Sequence, residues 1–393
     1  MLCGLKFSDF VLPSDEEWIY SGGLASTQAS AVKFTAVGDL MVHGPQAEDA
    51  LSKGGGAYNY DHSFSYIKKY FAGSDIVAGN LETVLAGPEA GYQDYPRFAV
   101  TDEFAYALKN AGFTFLTTAN NHSLDQGERG LLRTLETLDG LGIGHTGTYS
   151  SEDERERITL IEKNGIVFAV LSYTYGVNGN PLPDGREYLV NMLSAELYRA
   201  DIARAQSLDP DFIVVMPHMG NEYETYTRDV FRDTMIDMFY AGADVVLASH
   251  PHVLQPCEVF RIAGDDGEER TCFAAYSMGN FISGQRTEPR EAGIIYNMFF
   301  ERNEAGVPEI SRITYIPTWV RFYRDGVSRD IAVLPVYDTL NTMFWGGYTG
   351  LSREDMRRVE AVQLETTALI GGSPVPLGSM APEYIIYKSE DDG

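Results

Sequence analysis

Three of the chain's seven histidines fall in two short polar stretches, "MPHMGNEYE" (216–224) and "LASHPHVLQP" (247–256). They are His218, His250 and His252. His250 and His252 flank Pro251, and in an extended segment positions i and i+2 point the same way, so both imidazoles could face one ion. Imidazole suits zinc, iron, nickel and manganese, and oxygen donors suit the harder of these. Asp39 in "VGDLMVHG", Glu82 in "AGNLET" and Asn121 in "TANNHSLDQG" could supply the oxygens. Each histidine alone reads better as a hydrogen-bonded loop residue. The His-x-His pair with His218 and Asp39 points to a bound metal.

His122 directly follows Asn121, so their side chains diverge. If Asn121 faces a metal, His122 faces elsewhere, where it could protonate a leaving group. Asp125 stands three residues on and could hold that imidazole, whether as a catalytic partner or as part of a turn. Asn80 and Glu82 share one side of a strand; either could ligate, or Asn80 could hold a turn. His43 is as readily a loop residue as a ligand, and His62 and His145 lie in no cluster. No Gly-x-Ser-x-Gly elbow is present. No cysteine sits in a positive setting that would activate it. "GGG" at 54–56 lacks the Lys-Ser/Thr of a phosphate-binding loop.

Six polar stretches, counting "YSMGNFISGQ" (276–285), end apolar runs that read as strands. Open α/β sheets bind ligands at that edge. "AVKFTAVGD", "DIVAGN", "FTFLTTAN", "DFIVVMPH" and "DVVLASH" read as strands. "SFSYIKKYFAGS", "TDEFAYALKNAG", "GERGLLRTLETLDGLG", "SAELYRADIARAQSL" and "RDVFRDTMIDMFYAGA" read as helices. The alternation predicts a largely parallel sheet. "ITLIEKNGIVFAVLSYT" predicts a hairpin turning at Asn164-Gly165. Strands without helices follow, near 254–262, 271–277, 292–302 and 308–318, so mixed or antiparallel sheet is expected there. One large α/β domain is expected at 31–335, after an irregular lead-in over 1–30. A helical extension and a disordered tail are expected over 336–393.

The formal net charge is −26 over 393 residues. Such acidity disfavours a general nucleic-acid binder and docking on an anionic membrane. An anionic ligand would therefore need a local positive feature. A metal could supply it, with Arg97 in "DYPRFAV" and Arg286 after "ISGQ" as further candidates, although each arginine reads slightly better as a surface ion pair. No apolar run reaches a membrane-spanning length. Cys3, Cys257 and Cys272 are too scattered for a disulfide framework; Cys257 and Cys272 could pair across neighbouring strands but read better as buried thiols. The N-terminus is no convincing signal peptide. The expected compartment is the cytoplasm, or the cell surface if an upstream export segment is missing.

The stretches "FTAVGDLMVHG", "GNLETVL", "LTTANNHSLDQGERGL", "LSYTYGVNGNPLP", "PHMGNEYE", "ADVVLASHPHVLQP", "YSMGNFISGQ" and "YIPTW", in this order, resemble the CapA / poly-γ-glutamate capsule synthesis family of the calcineurin-like metallophosphatase superfamily. The resemblance spans about residues 33–319. It implies a four-layer α/β/β/α sandwich with a metal site at the strand ends. It implies one or two divalent ions (manganese, zinc or iron) held by Asp39, Asn80 or Glu82, Asn121, His218, His250 and His252. His122 would be the general acid. Two departures weaken one half of a two-metal site: Met41 replaces the His of Asp-x-His, and Asn80 replaces the bridging Asp. One tightly held ion is therefore expected, with Glu82 or His43 able to compensate. The implied partner is an anionic small molecule or polymer, a phosphoester or poly-γ-glutamate. The implied activity is a metal-dependent phosphoester hydrolase. The alternatives are a non-catalytic polyanion-binding assembly factor and a γ-glutamyl amide hydrolase. Oligomeric state is open.

Overall fold

Val32, Phe34 and Ala36 are buried on one side of the first long strand, and Val37 is buried on the other. A strand covered on both faces needs a second layer on each side, and the fold supplies them. The computed structural model describes residues 19–21, 31–263, 267, 269–325, 328–344 and 350–389. Its strands are β1 (Ile19–Ser21), β2 (Ala31–Leu40), β3 (Ile76–Leu81), β4 (Phe115–Thr117), β5 (Gly144–Thr146), β6 (Thr159–Lys163), β7 (Ile166–Thr174) and β8 (Phe212–His218). These are followed by β9 (Val245–Leu247), β10 (Cys257–Ala263), β11 (Glu269–Ala275), β12 (Asn280–Ile282), β13 (Ala292–Arg302), β14 (Pro308–Asp325), β15 (Ser328–Pro335) and β16 (Tyr384–Lys388).

They form two sheets. The seven-stranded sheet runs β1-β6-β7-β8-β9-β11-β10; the nine-stranded sheet runs β15-β14-β13-β2-β3-β4-β5, with β12 beside β2 and β16 beside β14. β2 to β5 are parallel to one another, as are β7, β8, β9 and β11. β10 and β13 to β16 pair antiparallel, the mixed sheet expected of the second half. The sheets face each other across one apolar core holding Phe34, Phe168, Val214, Phe273, Tyr296 and Trp319. Helices Gly44–Lys53 and Glu103–Ala111 cover the outer face of the larger sheet; Ala195–Gln206 and Asp229–Ala241 cover that of the smaller. The architecture is the four-layer α/β/β/α sandwich.

The hairpin turns at Asn164 (φ 51°) and Gly165 (φ 78°), a pair that matches strand twist. Three details depart from the sequence reading. The helix expected over 63–74 is two single turns, Asp61–Phe64 and Lys68–Phe71. Ser65 Oγ donates to the His62 carbonyl at 2.9 Å, competing for the acceptor a continuous helix would use. Ile19–Ser21, inside the expected lead-in, pair with β6, while the rest of 1–30 lies outside the described residues. The C-terminal part adds strand β16, and its helices Val336–Phe344 and Arg353–Gly371 send Leu340, Val359, Val362 and Ile370 into the core between the sheets. Residues 390–393 of the expected tail are not among those described. Cys257 and Cys272 are free thiols, and their register partners are Ala275 and Phe260.

Candidate metal centre

Local backbone features decide which side chains reach the open end of the central core. In β2, Val32, Phe34 and Ala36 face the other sheet; past Gly38, Leu40 and Val42 face the helices instead. The pairing with β3 slips between Ala36 and Asp39. A one-residue slip exchanges the faces, so Asp39 turns inward. Gly38 makes this possible: a Cβ there would lie 1.9 Å from the Gly279 carbonyl oxygen, which also accepts the Asp39 N–H at 3.0 Å. Asn80 and Glu82 continue the inward series of Ile76 and Ala78. His218 continues that of Phe212, Val214 and Met216.

His250 and His252 reach the same place by another route. Val245 and Leu247 face the central core, and Val246 and Ala248 face the helices. Extended backbone would carry His250 and His252 onto the helical side, so the i, i+2 argument from extended geometry does not hold. Instead His250 and His252 take φ values of 108° and 57°. Such left-handed positions in non-glycine residues cost about 1 kcal/mol or more each and mark functional sites. The turn re-aims both rings, whose centroids are 5.9 Å apart.

Three sets of ligand atoms each lie within 4.8 Å of one another: Glu82, His218 and His250; Asp39, Glu82 and His252; Glu222, His250 and His252. Glu82 is common to the first two. Its Oε1 is 3.5 Å from His218 Nε2 and 3.7 Å from His252 Nε2. His252 Nδ1 meets two acceptors, Asp39 Oδ2 at 3.2 Å and Asn280 Oδ1 at 3.1 Å. Nδ1 therefore carries the proton, and Nε2 keeps a free lone pair on the Glu82 side. Asn121 Oδ1 is 2.7 Å from His218 Nε2.

Asn80 behaves differently from the ligand expected of it. Its NH2 group donates to Asp39 Oδ1 at 2.8 Å and contacts His218 Nδ1 at 3.1 Å. Its oxygen faces Asn120 and Thr117. It braces two ligand candidates and turns its own oxygen away. His43 is also occupied elsewhere, since its Nδ1 accepts the Gly284 N–H at 3.0 Å. Burial pushes the His43 imidazole down to about 4.

Burial opposes charge on Asp39, but the His252 hydrogen bond and the charges of His252 and His218 hold its carboxyl below the usual range. Burial, then the nearby Asp39 charge, push Glu82 well above it. Burial and neighbouring imidazoles push His218 well down and His250 to about 3. Both Glu82 oxygens and His250 Nδ1 are buried without a hydrogen-bond partner among the described residues. An uncompensated buried carboxylate costs several kcal/mol. A divalent cation among these oxygen and imidazole donors removes that cost, so the residues present fit a metal ion.

Beside the cluster, His122 Nδ1 lies 2.6 Å from Asp125 Oδ2, which also accepts the Phe98 N–H at 2.7 Å. The His122 ring packs against Phe98 at 4.6 Å. Asn120 Nδ2 donates to the Leu81 carbonyl at 2.8 Å, and its oxygen accepts the His122 N–H, so it shapes the turn. Arg97 is exposed, immediately precedes Phe98, and makes no ion pair or contact with the cluster among the described residues. Arg286 stacks on Phe322, with its guanidinium 4.4 Å from the ring centroid. Sequence reasoning missed Glu222, Tyr175 (4.4 Å from the His250 ring) and Asn280. Glu222 and Asn280 lie inside stretches already singled out, but nothing in those stretches ranks one polar residue above another.

The model of the family "Bacterial capsule synthesis protein PGA_cap" matches residues 33–285. The PGA biosynthesis protein CapA of Bacillus subtilis is 30% identical over 295 residues, covering 70% of this chain and 70% of that protein. The capsule biosynthesis protein CapA of Bacillus anthracis is 28% identical over 64% of this chain and 59% of its own length. Among solved structures, the Haemophilus influenzae NAD nucleotidase aligns at 12% identity with a TM-score of 0.47, covering 86% of this chain and 57% of that one. Likeness at that level carries nothing about substrate.

Proposed function

This chain belongs to the bacterial capsule synthesis protein family, and from that premise we propose that its buried cluster is a divalent-metal centre serving hydrolysis of a phosphoester during capsule synthesis. The observation that carries this reading is Glu82: fully buried, unpartnered at both oxygens and shared between two sets of imidazoles. Asp39, Glu82 and His252 would hold one ion; Glu82, His218 and His250, with Asn121 beside them, would hold a second. Glu82 would thereby supply the acid that Asn80 no longer provides. Manganese, zinc and iron all suit this donor set. A cation here supplies positive charge that polarises an ester and acidifies nearby water.

The chain's own residues supply the rest. Asp125 holds His122 by Nδ1, leaving Nε2 as the atom that moves a proton to the leaving oxygen. The Phe98 N–H fixes the Asp125 carboxylate, so the imidazole has one orientation. Asn80 fixes Asp39 and His218 in the same way. Arg97, exposed and without an ion pair among the described residues, is a candidate to meet an anionic ligand at the rim.

The test is elemental analysis of the purified chain, with turnover of 4-nitrophenyl phosphate after loading with manganese, zinc or iron. Bound metal and turnover, both lost in His250→Ala, are expected. A chain that takes up no transition metal and is indifferent to His250→Ala would falsify the reading. The family favours a second reading, in which the same pocket holds a polyanion such as poly-γ-glutamate without cleaving it. Tight binding of that polymer with no product, in a metal-loaded sample, would select it.

A further inference from the structure

Arg290 presents an unused cation at the rim of the centre. Its guanidinium lies 3.4 Å from the centroid of the Tyr223 ring. Among the described residues it has no carboxylate partner and no hydrogen-bond acceptor. Arg286 and Arg312 are stacked in the same way, on Phe322 and Phe299, but not beside the cluster. Arg155, Arg232 and Arg302 all pair with carboxylates. Glu222, beside Tyr223 in sequence, forms no ion pair with Arg290.

The stack is built onto the same turn that aims the imidazoles. Tyr223 takes a φ of 67° and donates its N–H to the Pro251 carbonyl at 2.8 Å, between His250 and His252. Its ring is 6.1 Å from that of His252. On the other side, Asn280 Nδ2 donates to the Arg290 carbonyl at 2.9 Å and to the His252 carbonyl at 3.2 Å, while Asn280 Oδ1 faces the His252 ring. Arg290 and His252 therefore share one anchor on the main chain and one aromatic ring between their side chains. A guanidinium stacked by its face keeps its edge N–H groups free, and that edge is the one that grips an oxyanion in a fork.

We propose that Arg290, carried on Tyr223, is a substrate-binding cation that recognises a second oxyanion, a carboxylate or phosphate, next to the group held at the Glu82–His250 cluster. The inference rests on reading that cluster as a metal centre, and it narrows the substrate to molecules with two neighbouring anionic groups. A repeating polyanion has that pattern.

The test uses the metal-loaded full chain and three probes in equilibrium titrations: a γ-linked glutamate trimer, methylenediphosphonate, and inorganic phosphate as a single-anion control. Arg290→Gln should weaken one or both two-anion probes by about 10- to 100-fold. It should change phosphate affinity by less than about threefold and leave metal content unchanged. Arg290→Lys should recover part of the loss, and Tyr223→Leu should repeat part of it. Loss confined to the trimer identifies a carboxylate partner, and loss confined to the diphosphonate identifies a phosphate. Unchanged affinity for both two-anion probes overturns the inference while leaving the metal centre standing. So does a loss equal to that for phosphate, or a loss of metal in Arg290→Gln. A wild-type chain that takes up no metal and binds no probe removes the reading of the centre, and this inference with it.

Discussion

Among the described residues, two places bring histidine and carboxylates together in sets within coordinating distance, and only one resembles a working centre. Asp49, His62 and Asp330 form the other set. There His62 Nε2 is 2.7 Å from Asp49 Oδ2, which also accepts the Ile331 N–H at 2.8 Å. Asp330 is held by Lys53 at 3.0 Å and by Arg321. One Asp49 oxygen and His62 Nδ1 lack a partner, but two protein cations already balance the acids. At the Glu82 cluster no lysine or arginine among the described residues pairs with a carboxylate, and backbone strain at His250, His252 and Tyr223 is concentrated around it. Ligand type and spacing are common to both places. What separates them is whether the chain has already neutralised its own charge.

The largest expected effect comes from removing the charge that the chain leaves unbalanced. Glu82→Gln should abolish binding of at least one ion by elemental analysis. The same variant, measured with chelator present, should be more stable than wild type by about 1–3 kcal/mol in denaturant unfolding, because a buried acid that must either stay charged or take up a proton on folding is gone. Loss of stability without loss of metal would erase the contrast between the two clusters.

Next in size is a division of labour at two adjacent residues. His122→Ala should keep the metal and reduce turnover by about 100- to 10,000-fold. Asn121→Ala should weaken metal binding by about 10- to 100-fold. If both variants lose metal equally, His122 belongs with the ligands.

A smaller effect follows from the imidazoles. Burial holds His250 down to about 3 and His218 well below its ordinary value, whereas unfolded histidines titrate near about 6.5. Below that pH the unfolded chain takes up protons that the folded chain refuses. The contribution of these two histidines to metal-free stability is therefore full above about pH 6.5 and falls as pH drops toward 3, by up to about 1.4 kcal/mol per pH unit for each, while the raised Glu82 carboxyl contributes a slope of opposite sign. Denaturation midpoints in chelator between pH 7 and 5 should show the slope, and His250→Asn should flatten it. A level profile in Glu82→Gln, where the opposing carboxyl is absent, would mean that the folded chain already binds those protons.

The smallest effect belongs to the other cluster. His62→Asn should leave metal stoichiometry unchanged and cost about 1 kcal/mol for a lost hydrogen bond. Metal lost from this variant would promote Asp49, His62 and Asp330 to a second centre.

The strand-end residues were legible from sequence because apolar runs stop abruptly at Asp39, Glu82 and His218, and strand ends are where such folds bind ligands. The sandwich was legible from the resemblance and from the change of pattern after β9. The means of aiming was not legible. Gly38 matters because Gly279 lies against it, and the turn at His250 matters because the helices already occupy the side an extended chain would choose. Both depend on contacts distant in sequence. The same holds for Asn80, whose amide turns its NH2 to Asp39 only because Asn120 and Thr117 take its oxygen. Arg290 gave no sequence signal, since its meaning lies in the acceptor it lacks.

The donors come from opposite sheets, and Asp39 and His252 are separated by 213 residues of chain. No shorter fragment contains the centre, and neither sheet alone can hold an ion in it. Under the proposed reading, metal uptake would be a late maturation step, waiting until both halves of the chain have been made and docked. An ion bound there would act as a rivet between the two layers. Its removal should loosen the open end of the sandwich first, seen as faster amide exchange around β2 and β8 while the far end of the core stays protected.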